Sequence, residues 1–432
     1  MNLLSEKIGV IDKPARVVGK TRFLVIGALL LIWLSISLQR VNVSILLVDP
    51  RFLADMDLVG QNAKQGLVMT LFLLPYALTN VLASPLSDRI GPRKTALLGL
   101  MIAILAVTVA GFAQGLVMLL GARILMGIGH GIHFPSNSCI IKNWFPPVER
   151  GRANSIYSLG GSLGPLVAMP LFSFVIWASG WEATFFFVAG MALLMSLPLW
   201  FGLVTDSPAD NKHVGPAEKN FIARNMGHSH HAEPDGLLHH GWLKLILHSR
   251  EFWLVTVCYS AYLSIWWGLI TWIPQYLMVA RGFPWQSLGW MASIPYVFAA
   301  VGIILGGFLS DRLMKREVFT TISLIGSTVC LLIAAYIPSN GWCVIFISLA
   351  AGFNTFIFAP IWVLLQALMP LRLIGLGSGV MNGISNFVSA LAPVIIGGLI
   401  QLTSSYAMGL IYLVVLGGAG GIASLYLVRR QL

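Results

Sequence analysis

Leu86-Ser87-Asp88-Arg89 returns residue for residue as Leu309-Ser310-Asp311-Arg312, an offset of 223 positions (309 − 86). Both copies close an apolar run of helical length, 66–86 and 287–309. Both then lead through a basic pair, Arg93-Lys94 and Lys315-Arg316, into another such run. A second echo lies where a basic loop leads into a glycine-bearing apolar segment, at Arg150-Gly151-Arg152 and again at Arg372-Leu373-Ile374-Gly375. Self-similarity at about half the chain length predicts two related halves. In a membrane, paired halves of this kind enclose a site that opens alternately to either side.

Outward from these copies, apolar segments fall at 23–48, 66–86, 95–113, 116–138, 154–178, 183–203, 252–279, 287–309, 319–337, 341–365, 375–400 and 406–428. Of the 432 residues 57% are hydrophobic and only 10% charged, against roughly 25% charged in a soluble domain. So few charges cannot cover a water-soluble fold of this size, and each bilayer crossing needs about 20 apolar residues. The prediction is an all-α polytopic membrane protein of 12 transmembrane helices. They form two pseudo-symmetric six-helix bundles, 1–203 and 251–432, joined by a cytoplasmic connection over 204–250. The polar start carries Lys7, Lys13, Arg16, Lys20 and Arg22. The run after it is too long for a signal-peptide core and lacks a small-residue cleavage site, so it is expected to be retained as the first span.

The net charge of +11 is spread through short loops rather than gathered in a nucleic-acid patch. Of the 27 Lys and Arg, Arg51, Lys64 and Arg281 fall in loops on one side, and Arg40 and Arg123 lie inside spans. All the rest fall on the side of the termini, and by the positive-inside rule that side is cytoplasmic. The four cysteines, Cys139, Cys258, Cys330 and Cys343, have no metal-like pairing and are expected to pack. The connection holds His213, His228, His230, His231, His239, His240 and His248. Without Cys or carboxylates at ligand spacing it is expected to be a solvated linker, with an amphipathic stretch from Trp242 to Leu247 on the inner membrane surface. No metal or cofactor is expected.

Three motifs resemble a known family. Ser87-Asp88-Arg89-Ile90-Gly91-Pro92-Arg93-Lys94 resembles the signature loop between spans two and three of the major facilitator superfamily, with Ser84 or Pro85 where that signature begins with glycine. Arg123-Ile124-Leu125-Met126-Gly127-Ile128-Gly129-His130-Gly131 resembles its fourth-span signature. Asn143-Trp144-Phe145-Pro146-Pro147-Val148-Glu149-Arg150-Gly151 and Thr271-Trp272-Ile273-Pro274-Gln275-Tyr276-Leu277 are similar to the anion:cation symporter branch, which carries hexuronates, galactonate, glucarate and other carboxylates.

Ionisable groups at bilayer depth are costly and mark function by default. Four fall there: Arg40, Arg123, His130 and His133, while all sixteen acidic residues sit in tails, loops or span ends. Arginine stays protonated, and its planar fork fits a carboxylate or phosphate bidentately. The missing partner of Arg40 and Arg123 is therefore expected to be an anionic substrate, the alternative being helix carbonyls, water or polar neighbours. Arg123, Gly127 and His130 share one face of span four. The resemblance implies that Arg40 binds substrate, that Tyr76 adds a hydroxyl and that Arg123 belongs to the substrate or coupling network. It also places Gln39 and His130 where proton-handling carboxylates stand in that branch. His130 can exchange a proton near neutral pH and is the candidate coupling residue. From the second half, Asn382 and Trp362 are candidate substrate contacts, with Tyr259, Ser264 and Trp267 behind them. Asp88, Arg89, Arg93, Asp311 and Arg312 are candidate gate residues, an aspartate there facing the positive end of span eleven near Gly375.

The expectation is a secondary active transporter of a small organic anion, a sugar acid or other carboxylate, working by proton-coupled symport. A phosphate-ester or inorganic-phosphate exchanger is the alternative. A non-transporting anion sensor also fits the residues. An enzyme is disfavoured, because no Ser/His/Asp set and no H-E-x-x-H lies in the spans. The expected partners are the anion, protons and the lipid bilayer, with no nucleic acid. The chain is expected to be a monomer in the plasma membrane, a bacterial inner membrane by resemblance, with both termini cytoplasmic.

Overall fold

The computed structural model describes residues 19–226, 248–313, 315–369 and 374–429. Its long helices, numbered by span, are α1 (Thr21–Leu46), α2 (Asn62–Ile90), α3 (Pro92–Gly111), α4 (Leu116–Trp144), α5 (Pro147–Ser179) and α6 (Glu182–Leu203) in the first half. The second half holds α7 (Arg250–Ala280), α8 (Trp285–Leu313), α9 (Arg316–Tyr336), α10 (Asn340–Leu368), α11 (Ile374–Ala390 with Ala392–Thr403) and α12 (Tyr406–Arg429). Eleven of these meet the length and hydropathy of a membrane crossing among the described residues. The twelfth is α2, whose 29 residues span about 43 Å at 1.5 Å per residue, more than a hydrocarbon core of about 30 Å.

Several helices outrun their apolar segments. α4 extends through Lys142 to Trp144, and α5 begins at Pro147 rather than at the first apolar residue. In membrane helices, proline is tolerated where neighbours re-satisfy the freed carbonyls, and Pro135, Pro165, Pro170, Pro274 and Pro295 all lie inside helices. Two spans do break. Pro360 and Pro393 cannot donate to the carbonyls four residues earlier, and α10 and α11 are interrupted at Phe356–Ile357 and at Leu391. Single π-helical turns occupy Ala192–Ser196 in α6 and Tyr276–Ala280 in α7.

The repeat read from the sequence reappears in the packing. α1 lies on α5 and α6 as α7 lies on α11 and α12, and α4 takes α2 and α3 as α10 takes α8 and α9. The halves meet along α2 with α11, α5 with α8 and α1 with α7. Away from the termini the seam is tight because glycines remove the side chain that would separate backbones. A Cβ on Gly66 would run into the Pro393 carbonyl, and one on Gly397 into that of Asn62. Gln275 Nε2 donates to Gln65 Oε1 across the same seam at 3.0 Å.

The first part of the connection after α6 is folded onto the first half rather than solvated. Asp206 Oδ1 accepts from the Arg93 amide at 2.7 Å, and Trp144 Nε1 donates to the Thr205 carbonyl at 2.8 Å. Glu218, on the short helix Pro216–Asn225, is fully buried and accepts from Thr21 N, Arg22 N and Arg22 Nη1. Arg22 also pairs with Glu149 at the start of α5, at 3.0 Å. His228, His230, His231, His239, His240 and the stretch from Trp242 to Leu247 lie outside the described residues.

Candidate functional site

Arg40 and Gln39 sit in the last third of α1, facing α2 and α4. Residues 72, 76 and 80 follow at four-residue spacing on α2, which lines up Phe72, Tyr76 and Asn80 on one face. Residues 123 and 130 lie two turns apart on α4. The Arg40 guanidinium carbon lies 4.5 Å from the ring centroid of Trp33, 4.7 Å from Tyr76 and 5.8 Å from Phe72. Its Nε–H donates to His130 Nδ1 at 3.2 Å. An imidazole nitrogen that accepts there leaves the ring proton on Nε2, and His130 Nε2 lies 3.2 Å from Gln39 Oε1, which accepts it. The chain Arg40, His130, Gln39 is thus a directed line of hydrogen bonds with His130 neutral. Beyond it, Arg40 Nη2 and Gln39 Nε2 are buried without a partner.

Arg123 is solved differently. Its Nε donates to the Val68 carbonyl at 3.3 Å and Nη2 to the Arg40 carbonyl at 3.5 Å. Met69 and Met126 sulfurs and the Phe72 ring, 5.1 Å away, complete its surroundings. Helix carbonyls answer this guanidinium, as the sequence's alternative reading allowed, whereas Arg40 keeps unused donors. No carboxylate pairs with either among the described residues, and the buried Glu218 and the nearby Glu149 go to Arg22 instead.

His133 is turned away from this cluster. Its Nδ1 lies 2.8 Å from the Ala96 carbonyl and its Nε2 2.7 Å from Asn137 Nδ2, which also donates to Tyr157 Oη. Both ring nitrogens are used, so His133 ties α4 to α3.

The second half approaches through Trp267, whose ring centroid is 6.4 Å from Phe72. Trp362 packs edge-on against Tyr259 at 5.3 Å, Tyr259 stacks on Tyr262, and the buried Ser264 Oγ has no partner. Asn382 is held in the seam: its Nδ2 donates to Asn80 Oδ1 at 3.3 Å, and Asn386 Nδ2 donates to its Oδ1. Of the gate candidates, Arg89 and Arg312 are exposed, and Arg93 joins the Asp206 contact through its amide. The Asp88 and Asp311 side chains lie outside what the structure describes.

Sequence reading missed Trp33, Phe72, Asn80 and Asp206. Trp33 is seven residues before Arg40 and Phe72 four before Tyr76, spacings that place them on the same helical faces.

A profile of the Major Facilitator Superfamily matches residues 22–393. Over 420 residues, 94% of each chain, the sequence is 30% identical to a probable sulfoacetate transporter of Cupriavidus necator. It is also 30% identical over 381 residues to the D-galactonate transporter of Escherichia coli, covering 85% of this chain and 87% of that one. The hexuronate transporter of Bacillus subtilis is 25% identical, covering 93% of each chain. Among solved structures, a bacterial homologue of the human lysosomal transporter Spinster, inward-facing and unoccupied, superposes with a TM-score of 0.73 at 19% identity. That match covers 94% of this chain and 97% of the other.

Proposed function

The chain belongs to the Major Facilitator Superfamily, in its anion:cation symporter branch, and on that premise we propose that it carries a small organic anion across a membrane by alternating access. One observation carries the substrate reading. Arg40, 6% exposed and without a carboxylate partner among the described residues, keeps its Nη2 buried and unbonded in the cluster where the halves meet. A buried guanidinium cannot shed its proton, and an anion is the partner that completes it. The relatives named above, carriers of sulfoacetate, galactonate and hexuronate by name, support an organic acid over phosphate.

In this reading the anion's head group meets Arg40, with Tyr76 and Gln39 beside it. Arg123 fixes the α1 backbone through the Arg40 carbonyl rather than touching the anion. Tyr259, Trp267, Trp362 and Asn382 bound the site from the second half, and the two bundles rock around it, linked by 204–250. The coupling reading rests on His130. When it takes a proton on Nδ1 it can no longer accept from Arg40, so protonation and release of the Arg40 Nε–H go together and both donors turn to the anion. Proton and anion then favour each other's binding, the sign required for symport. The termini face the cytoplasm of a bacterial inner membrane. The α2–α3 junction with Asp88, Arg89 and Arg93, held by Asp206 from the connection after α6, and its counterpart at Asp311 and Arg312, gate the inner side.

The test is uptake of labelled sulfoacetate, D-galactonate, a hexuronate, an aromatic carboxylate and inorganic phosphate into proteoliposomes, with and without an acid-outside gradient. Saturable uptake of an organic acid that is lost in Arg40→Ala is the expected result. Uptake of phosphate alone, or of any anion indifferent to Arg40, overturns the proposal.

A further inference from the structure

Arg40 is held on more sides than anion binding alone requires. Trp33 and Tyr76 lie against its guanidinium at 4.5 and 4.7 Å, and His130 takes its Nε–H. Trp33 is itself pinned. Its ring centroid is 5.1 Å from that of Phe134 and 5.2 Å from that of Tyr157. On α5, a Cβ at Gly160 would come within 3.0 Å of Trp33 Cδ1, and one at Gly161 within 3.0 Å of Trp33 Nε1. One turn along α1, Ser37 Oγ donates to the Gly161 carbonyl at 3.2 Å and locks the two helices together. The Gly160-Gly161 pair thus leaves the slot that the indole fills. Trp33 is 6% exposed and has no freedom to follow a moving arginine.

A guanidinium offers two hydrogen-bonding forks, one formed by Nε–H with Nη2–H and one by the two terminal nitrogens. The Nε bond to His130 closes the first. Among the described residues neither Nη1 nor Nη2 has a hydrogen-bond partner, and Nη2 is buried.

We infer that Trp33 is a positioning residue for anion recognition: while neutral His130 takes the Nε–H, the indole holds Arg40 so that its end-on Nη1/Nη2 fork faces the arriving anion, which must present two oxygens to it. The inference rests on the reading of Arg40 as the anion clamp. It makes the indole face a determinant of affinity although no substrate atom need touch it. A guanidinium that must find its own orientation loses the advantage of a fork fixed before the anion arrives. Lysine cannot substitute, because a single ammonium has neither the fork nor the flat face that the rings hold.

The experiment uses the full chain in proteoliposomes, with labelled D-galactonate and sulfoacetate as probes, and compares Trp33→Phe, Trp33→Leu, Arg40→Lys and Arg40→Ala. Phenylalanine keeps an aromatic face and leucine removes it. Desolvated cation–π contacts are strong enough for a change of about tenfold. The expected result is a KM within about threefold of wild type for Trp33→Phe and about tenfold higher for Trp33→Leu, with the maximal rate unchanged, as for loss of uniform binding. Arg40→Lys is expected to fall with Arg40→Ala. Uptake lost in Arg40→Ala but with an unaltered KM in Trp33→Leu, or a Trp33→Leu defect confined to maximal rate, overturns this inference and leaves the clamp standing. Uptake of neither probe by the wild type, or uptake that survives Arg40→Ala, removes the clamp and the inference together.

Discussion

Arg40 and Arg123 look alike in sequence, each a lone arginine in an apolar run, and the structure separates them by what their nitrogens meet. Arg123 spends Nε and Nη2 on carbonyls, so Arg123→Ala is expected to lower stability and loosen α1 more than it changes substrate selectivity. Thermal unfolding in detergent, beside KM ratios for two acids, checks this. His130 gives a sharper test. His130→Gln can still offer an acceptor to Arg40 Nε–H but cannot gain a proton. Neutral His130 accepts that bond and protonated His130 cannot, so acidifying the outside is expected to stimulate wild-type uptake. In His130→Gln, exchange of anion for anion is expected to persist while the stimulation disappears. Counterflow alongside gradient-driven uptake separates the two, and a His130→Gln protein that still responds to the gradient would falsify the coupling role. The ionisable residues were legible in sequence because charge in a span is conspicuous. Trp33 and Phe72 were not, since an aromatic at helical spacing reads equally as packing. Only the ring distances to Arg40 distinguish them.

The twelve spans were legible from hydropathy, because the bilayer imposes both a length and a composition. The two breaks were not, even though Pro360 and Pro393 are plain to see. Pro75, Pro135, Pro165, Pro170, Pro274 and Pro295 sit inside helices that run on through them, so the residue alone does not decide where the ladder opens. The connection after α6 escaped for a similar reason. Its polar composition reads as solvated, yet Glu218 is buried among three donors from Thr21 and Arg22. Removing one member of a buried ion pair costs about 3 kcal/mol, and Glu218→Gln is expected to lower the unfolding midpoint in detergent while leaving KM near wild type. A large change in KM with an intact midpoint would instead assign this helix to the transport cycle. The α2–α11 contact makes a different demand, because each helix brings a glycine to the other's backbone. Gly66→Val is expected to wedge that end apart. Its readout is faster labelling of Gln275→Cys by a membrane-impermeant maleimide, together with reduced uptake.

At the scale of the molecule, the repeat around Asp88 and Asp311 foretold two halves and the packing pairs show them, but no sequence signal says which end of the seam is shut. The structure answers through side chains from both halves. Gln65 and Gln275 are hydrogen-bonded, and the Ala63 amide donates to Gln401 Oε1 on the same side. If the halves rock about a central site, these contacts must part once in every cycle. A tether across them should then stop transport without touching Arg40. The four native cysteines, none of them in a disulfide, are first replaced by serine, and that protein must retain uptake. Gln65→Cys and Gln275→Cys are then introduced and joined by a short cleavable bis-thiosulfonate. Uptake is expected to cease on cross-linking and to return on reduction, while anion binding from the side of the termini persists in the tethered state. Each single cysteine treated identically should keep its activity. Full uptake by the tethered double variant would mean that this end need not open, and movement of the halves about the seam could not be how the anion crosses.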